Sequence, residues 1–214
     1  MKIAIGLYDG FTALDAIGPY QVFTNVPGVE VVLCAERAGP LLDDNRLLRF
    51  DIEHSFDDVT APDLLLVPGG IITRRLAAER APVVEWIERE HPNTTWTTSV
   101  CTGALLLGAA GVLEGKVATT HWCSYDALAG YGATPTEQRV VRAGKVWTAA
   151  GVSAGIDLAL TIVGEVFGPE MAQAVQLGIE YDPQPPYDAG SPSKAPADIR
   201  DLVLAVVDQA EREA

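Results

Sequence analysis

The run Thr98-Ser99-Val100-Cys101-Thr102-Gly103-Ala104 sets one thiol between small side chains. Ser99 and Gly103 stand two residues to either side of Cys101. A nucleophile carried on a sharp strand-to-helix turn needs that spacing. Larger neighbours would collide where the chain doubles back, so the run is the thiol counterpart of the serine elbow G-x-S-x-G. A helix starting just after Cys101 would aim its N-terminus at the sulfur and favour thiolate over thiol. The Thr102 backbone N–H would face negative charge developing beside the sulfur. The alternative is a buried packing cysteine, a common fate of the residue type.

Other residues can serve such a centre. Pro68-Gly69-Gly70 ends an apolar run, and Gly70 can bring a bare backbone N–H to the carboxyl end of a strand, where ligands gather in open α/β sheets. An ordinary strand-ending turn explains the same residues. Asp15 falls at the start of a helical stretch. There it either satisfies the helix dipole or exchanges a proton with the sulfur or a substrate. His121 is the candidate for a Cys–His pair, or else a half-buried structural histidine. His54 and His91 lie in polar stretches expected to be exposed. Cys34 and Cys123 lack an elbow and read as packing residues. Asp43-Asp44 and Asp57-Asp58 read as solvated loops, and no phosphate loop, dinucleotide fingerprint or zinc motif is present.

Elements must hold these groups in place. Ile3–Leu7, Val29–Ala35, Asp63–Val67 and Thr94–Val100 read as strands, with a shorter edge strand or hairpin within Leu47–Phe56 and another strand over Lys116–Thr120. Arg139–Val141 and Lys145–Ala149 flank a turn at Ala143-Gly144. Helices are expected over Leu14–Thr24 (kinked or interrupted at Gly18-Pro19), Ile71–Ala78, Pro82–Glu90, Thr102–Ala110, Trp122–Ala129, Val152–Phe167 and Pro169–Leu177. Strands alternating with helices predict a flavodoxin-like three-layer α/β sandwich on a mainly parallel sheet. That unit spans 1–181. Over Asp182–Pro196 the composition shifts, with five of the 14 prolines falling there. An extended arm is expected, followed by a helix presenting Ile199, Leu202, Val203, Val206 and Ala210, packed on the same domain or across a dimer.

Composition narrows the function. The 214 residues carry a formal charge of −14, which disfavours nucleic acid and an anionic membrane as partners. No run nears the roughly 20 apolar residues that span a bilayer, and the first residues do not read as a signal peptide, so a cytoplasmic location is expected. Three cysteines without a CxxC make neither a disulfide framework nor a zinc site.

Taken with Leu14-Asp15-Ala16-Ile17-Gly18-Pro19, Leu66-Val67-Pro68-Gly69-Gly70 and Gly151-Val152-Ser153-Ala154-Gly155-Ile156-Asp157, the cysteine run resembles the ThiJ/PfpI superfamily over almost the whole chain. The segments Gly111–Trp122 and Gln176–Pro186 are similar to its isonitrile hydratase branch. That resemblance implies addition of water to R–N≡C to give an N-substituted formamide, with no metal and no organic cofactor. It implies Cys101 as nucleophile, Asp15 as a helix-borne aspartate close to the sulfur and Thr102 after the cysteine, a small-molecule substrate and a homodimer. On that arrangement Asp15 is expected to carry the protons, and the Gly70 and Thr102 backbone N–H groups to stabilise charge. The protease-like branch carries Cys-His at the elbow, and Cys101-Thr102 departs from it. Relatives with a DNA-binding region need more chain, so that reading is set aside. Hydration or deglycation of an α-oxoaldehyde, or redox sensing by Cys101, stand as alternatives.

Overall fold

Ile3, Ala4 and Ile5 have no exposed surface, and neither do Leu64, Leu65, Leu66 and Val67. Segments apolar on both parities must be covered on both faces, which sends them to the middle of a parallel sheet. A computed structural model describes residues 1–213 and puts them there. In chain order the first half runs β1 (Lys2–Gly6), α1 (Ala13–Phe23), β2 (Glu30–Ala35), β3 (Gly39–Leu42), β4 (Arg49–Ile52), β5 (His54–Ser55), β6 (Leu64–Val67), α2 (Thr73–Ala78) and α3 (Pro82–Glu90). The second half runs β7 (Trp96–Val100), α4 (Gly103–Ala109), β8 (Val117–Ala118), α5 (Tyr125–Ala129), β9 (Thr134–Pro135), β10 (Val140–Ala143), β11 (Val146–Ala149), α6 (Ala154–Phe167), α7 (Pro169–Gly178) and α8 (Ala197–Glu213).

Seven strands form the main sheet in the order β10-β11-β7-β6-β1-β2-β5. Only β10 runs antiparallel, paired with β11 across the Ala143-Gly144 turn. Helices α1, α6 and α7 pack together as one layer, and α2, α3 and α4 as another. This is the three-layer sandwich the alternation predicts. Neighbouring strands β1, β6 and β7 all end on the same side, so the turns after them converge.

Several expectations need correction. The Leu47–Phe56 stretch holds β4 and β5, but β4 pairs antiparallel with Gly39–Leu42 in a separate ribbon, while β5 joins the edge of the main sheet. The Lys116–Thr120 strand shrinks to β8, which pairs with β9 outside the main sheet. Helix α1 is not interrupted at Gly18-Pro19 but runs through Pro19 to Phe23, and Gly18 lets Ile156 of α6 approach closely. Asp43 is buried rather than solvated, its Oδ1 accepting the Leu47 and Leu48 backbone N–H groups and closing the β3–β4 turn. His91 is half-buried, with Nδ1 2.8 Å from Thr97 Oγ1.

The proline-rich stretch runs without regular structure into α8. No residue of α8 is fully buried. Its half-buried face is Arg200, Val203, Val207, Ala210 and Glu211, whereas Leu202 and Val206 point outward. The inward face therefore sits one position round from the apolar stripe read from the sequence. Among the described residues no helix is long and apolar enough to cross a membrane.

Candidate active site

Strand β7 ends at Val100 and α4 begins at Gly103, so Cys101 and Thr102 make the turn. Cys101 has φ 56°, a left-handed conformation that costs a non-glycine residue on the order of 1–3 kcal/mol. The turn is held over-determined. The Cys101 N–H donates to Ala150 O at 2.9 Å, and Thr120 Oγ1 donates to Cys101 O at 2.9 Å. A Cβ at position 103 would lie 2.3 Å from the Val67 carbonyl oxygen, which is why the residue after the turn is glycine.

The sulfur meets the backbone N–H groups of Val152 and Thr102 and the Thr102 hydroxyl, all of which favour its charged form. They do not prevail. Burial first, and the Asp15 charge second, push the thiol far above its ordinary range. Burial and the Asp15 charge thus work against the thiolate expected from the helix end, because α4 is short and Cys101 is buried. Val152 itself has φ 24° and opens the turn into α6.

Asp15 sits in the first turn of α1 and is fully buried. Its Oδ2 accepts the Gly69 N–H at 2.8 Å. Among the described residues Oδ1 has no hydrogen-bond partner meeting geometric criteria. Burial pushes the carboxyl up to about 7; the Gly69 N–H and the Cys101 thiol act against that rise, and Asp44 adds to it. Tyr8, whose hydroxyl donates to Pro68 O at 2.8 Å, lies close enough for the Asp15 and Cys101 charges to raise its own pKa, after burial itself. It remains a neutral phenol.

The two glycines after β6 divide their work. Gly69, not Gly70, holds the carboxyl. The Gly70 N–H donates to Thr102 Oγ1 at 3.0 Å, and that hydroxyl lies 3.1 Å from Gly70 O. A Cβ on Gly69 would stand 2.6 Å from Thr102 N and 2.9 Å from Asp15 Oδ2, so only glycine lets the three turns meet. Sequence reasoning passed over Gly69, Tyr8 and Val152. Gly69 and Val152 contribute backbone N–H groups, which carry no side-chain signature, and Tyr8 follows the first strand with no motif around it.

Cys101, Thr102 and Gly70 border a cavity of about 120 Å³ whose lining also includes His121, Val152, Val207 and Glu211. A cavity of about 480 Å³ elsewhere, bordered by Tyr8, Ile72 and Arg75, holds no nucleophile. Convergent chemistry, rather than size, selects the smaller one. His121 is on its wall, with its pKa lowered by burial. Cys34 is buried and its thiol is pushed up to about 12 by that burial, and Cys123 is pushed up to about 11. Among the described residues no three His, Cys, Asp or Glu side chains gather as metal ligands would.

A cysteine at a strained turn, a buried carboxyl beside it and a glycine turn from the neighbouring strand are the features to compare with known proteins. Residues 1–165 match the DJ-1/PfpI family. The chain belongs to that family. Among its relatives is the isonitrile hydratase of Pseudomonas putida, 41% identical over all 214 residues and over 90% of that protein's length. A solved ThiJ/PfpI family protein from Pseudomonas syringae superposes with TM-score 0.93 at 38% identity, covering 99% of this chain and 87% of that one. The HTH-type transcriptional regulator CdhR of Pseudomonas aeruginosa is 31% identical over 67% of this chain, but that match covers only 42% of the regulator. DJ-1/PfpI membership accounts for the sandwich; what the cysteine turn does is a matter for its own chemistry.

Proposed function

We propose that this protein adds water to an isonitrile and releases an N-substituted formamide, with Cys101 as the nucleophile. One observation carries the reading: the fully buried Asp15 carboxyl, held by the Gly69 N–H at 2.8 Å, lies beside the Cys101 thiol on its left-handed turn, and burial lifts that carboxyl to about 7. The full-length similarity to an isonitrile hydratase supports the choice of substrate.

The steps balance as follows. The Asp15 carboxylate takes the thiol proton as the sulfur attacks the terminal carbon of R–N≡C. The carbon, left with an electron pair, takes the proton back from Asp15 and becomes the thioimidate R–N=CH–S. Asp15 then removes a proton from water as the oxygen adds to that carbon, and delivers it to nitrogen. Collapse of the resulting R–NH–CH(OH)–S centre breaks the C–S bond, returns a proton to sulfur and frees R–NH–CHO. No step needs an oxidant or reductant. A carboxyl with a pKa near the working pH suits both directions of transfer. The N–H groups of Thr102 and Val152 stabilise charge on the sulfur, and the Thr102 hydroxyl is held by the Gly70 N–H at 3.0 Å.

The test is formamide production from a small alkyl isonitrile such as methyl isonitrile, with methylglyoxal as the competing substrate and Cys101→Ser as the control. Cysteine-dependent formamide supports the proposal. Turnover of methylglyoxal alone shifts the reading to an α-oxoaldehyde, and silence on both, with ready Cys101 oxidation, shifts it to redox sensing.

A further inference from the structure

Helix α8 reaches the cavity from a distant part of the chain, and its role there is assigned by nothing so far. Val207 and Glu211 line the space into which Cys101 opens. Val203, Val207 and Glu211 follow one another at four-residue spacing on the half-buried face of the helix. Glu211 Oε1 accepts from Arg74 Nε of α2 at 2.6 Å. Arg74 also donates from Nη2 to Ser124 Oγ at 3.2 Å and to Cys123 O at 3.3 Å. Arg74 and Glu211 are 38% and 24% exposed, so the pair is partly shielded rather than freely solvated. With no fully buried residue in α8, this latch and a thin apolar stripe hold the helix in place.

We infer that α8 is the outer wall of the Cys101 pocket, with Val207 setting the size of the group a reacting molecule can carry and the Arg74–Glu211 pair latching the wall shut. The inference deepens the proposed function by naming its substrate class, an isonitrile with a short apolar substituent. A cavity of about 120 Å³ is smaller than the roughly 150 Å³ space that accepts benzene in a protein interior. Val152, Val207 and Ile71 are the aliphatic side chains of the lining, so an apolar substituent is expected to lie against them. Removing methyl groups from Val207 enlarges the space where the substituent ends, whereas adding an indole fills it.

The experiment measures labelling of Cys101 by iodoacetamide and by N-cyclohexyl iodoacetamide, read by mass spectrometry of the Cys101 peptide. Both reagents form the same C–S bond and release iodide and a proton, so the ratio of their rates cancels changes in thiol reactivity. Val207→Ala should raise the bulky-to-small ratio about tenfold, and Val207→Trp should lower it by a similar factor, the discrimination expected of a few methyl groups in an apolar pocket. Arg74→Met, which leaves the lining atoms in place, should raise the ratio by releasing the latch. A ratio within about twofold of the parent in both Val207 variants overturns the inference. The labelling needs only a reactive Cys101. A moving ratio without isonitrile turnover therefore sinks hydration alone, and turnover with an unmoved ratio sinks the wall alone.

Discussion

The Gly69 N–H donates to Asp15 Oδ2 across 2.8 Å, tying the turn after β6 to the first turn of α1. That one bond fixes a carboxyl beside Cys101 while leaving its second oxygen without a partner among the described residues. The carboxyl is held in place yet free to trade a proton. Burial supplies the second half of the arrangement by lifting its pKa to about 7.

Activity should follow the carboxylate. Asp15 must be ionised to take the thiol proton, so kcat/KM should rise with pH up to about 7 and level off above it. Asp15→Asn should remove that limb and cost about 10²-fold or more. A parent profile flat from pH 5 to 9, read from initial rates, would remove Asp15 from the reaction.

Stability should move the opposite way. The folded chain binds the Asp15 proton more tightly than the unfolded chain, because the pKa is raised from 3.8 to about 7. Between those values the folded state carries the extra proton, so stability falls as pH rises through the window and is flat above it. The upper bound on this cost is about 4 kcal/mol. Asp15→Asn should therefore melt several degrees above the parent at pH 8, at about 2–4 °C per kcal/mol, with the difference shrinking towards pH 4. Calorimetry at the two pH values checks the sign.

Gly69→Ala tests the positioning of the carboxyl. Its Cβ would stand 2.6 Å from both Thr102 N and Thr102 Oγ1. Overpacking of this kind costs about 1–3 kcal/mol. Displacing the Gly69 N–H also removes a bond that holds the Asp15 pKa down, so the midpoint of the activity profile should move to higher pH. A variant with the parent's midpoint contradicts the role given to this bond.

We propose that two copies associate, as the family resemblance implies. Leu202 and Val206 of α8, each 59% exposed, give that association an apolar surface outside the pocket. Light scattering should return twice the chain mass. The mass of one chain across a wide concentration range contradicts it.

Much of the scaffold was legible because local pattern and tertiary role agree. Ile3–Ile5 and Leu64–Val67 are apolar on both parities and lie in the sheet centre. Ser99 and Gly103 betray the turn because sterics leave no other choice at position 103. The β3–β4 ribbon was not legible, since Gly39–Leu42 contains a glycine and a proline and pairs with a strand beyond a loop. Nor was the upward push on the Cys101 thiol, which comes from how deeply the turn is buried. The Ile199, Leu202, Val203, Val206 and Ala210 stripe marks a face of α8, but the face turned inward is offset by one position and includes Val207, and nothing in the sequence says that it meets Cys101.

The most direct measurement is intact-protein and peptide mass spectrometry after rapid quenching with a slowly turned-over isonitrile. The account predicts a mass gain of one whole isonitrile on Cys101, absent in Cys101→Ala, which should also lose turnover. An adduct on Cys34 or Cys123 in place of Cys101, or full turnover by Cys101→Ala, would contradict it.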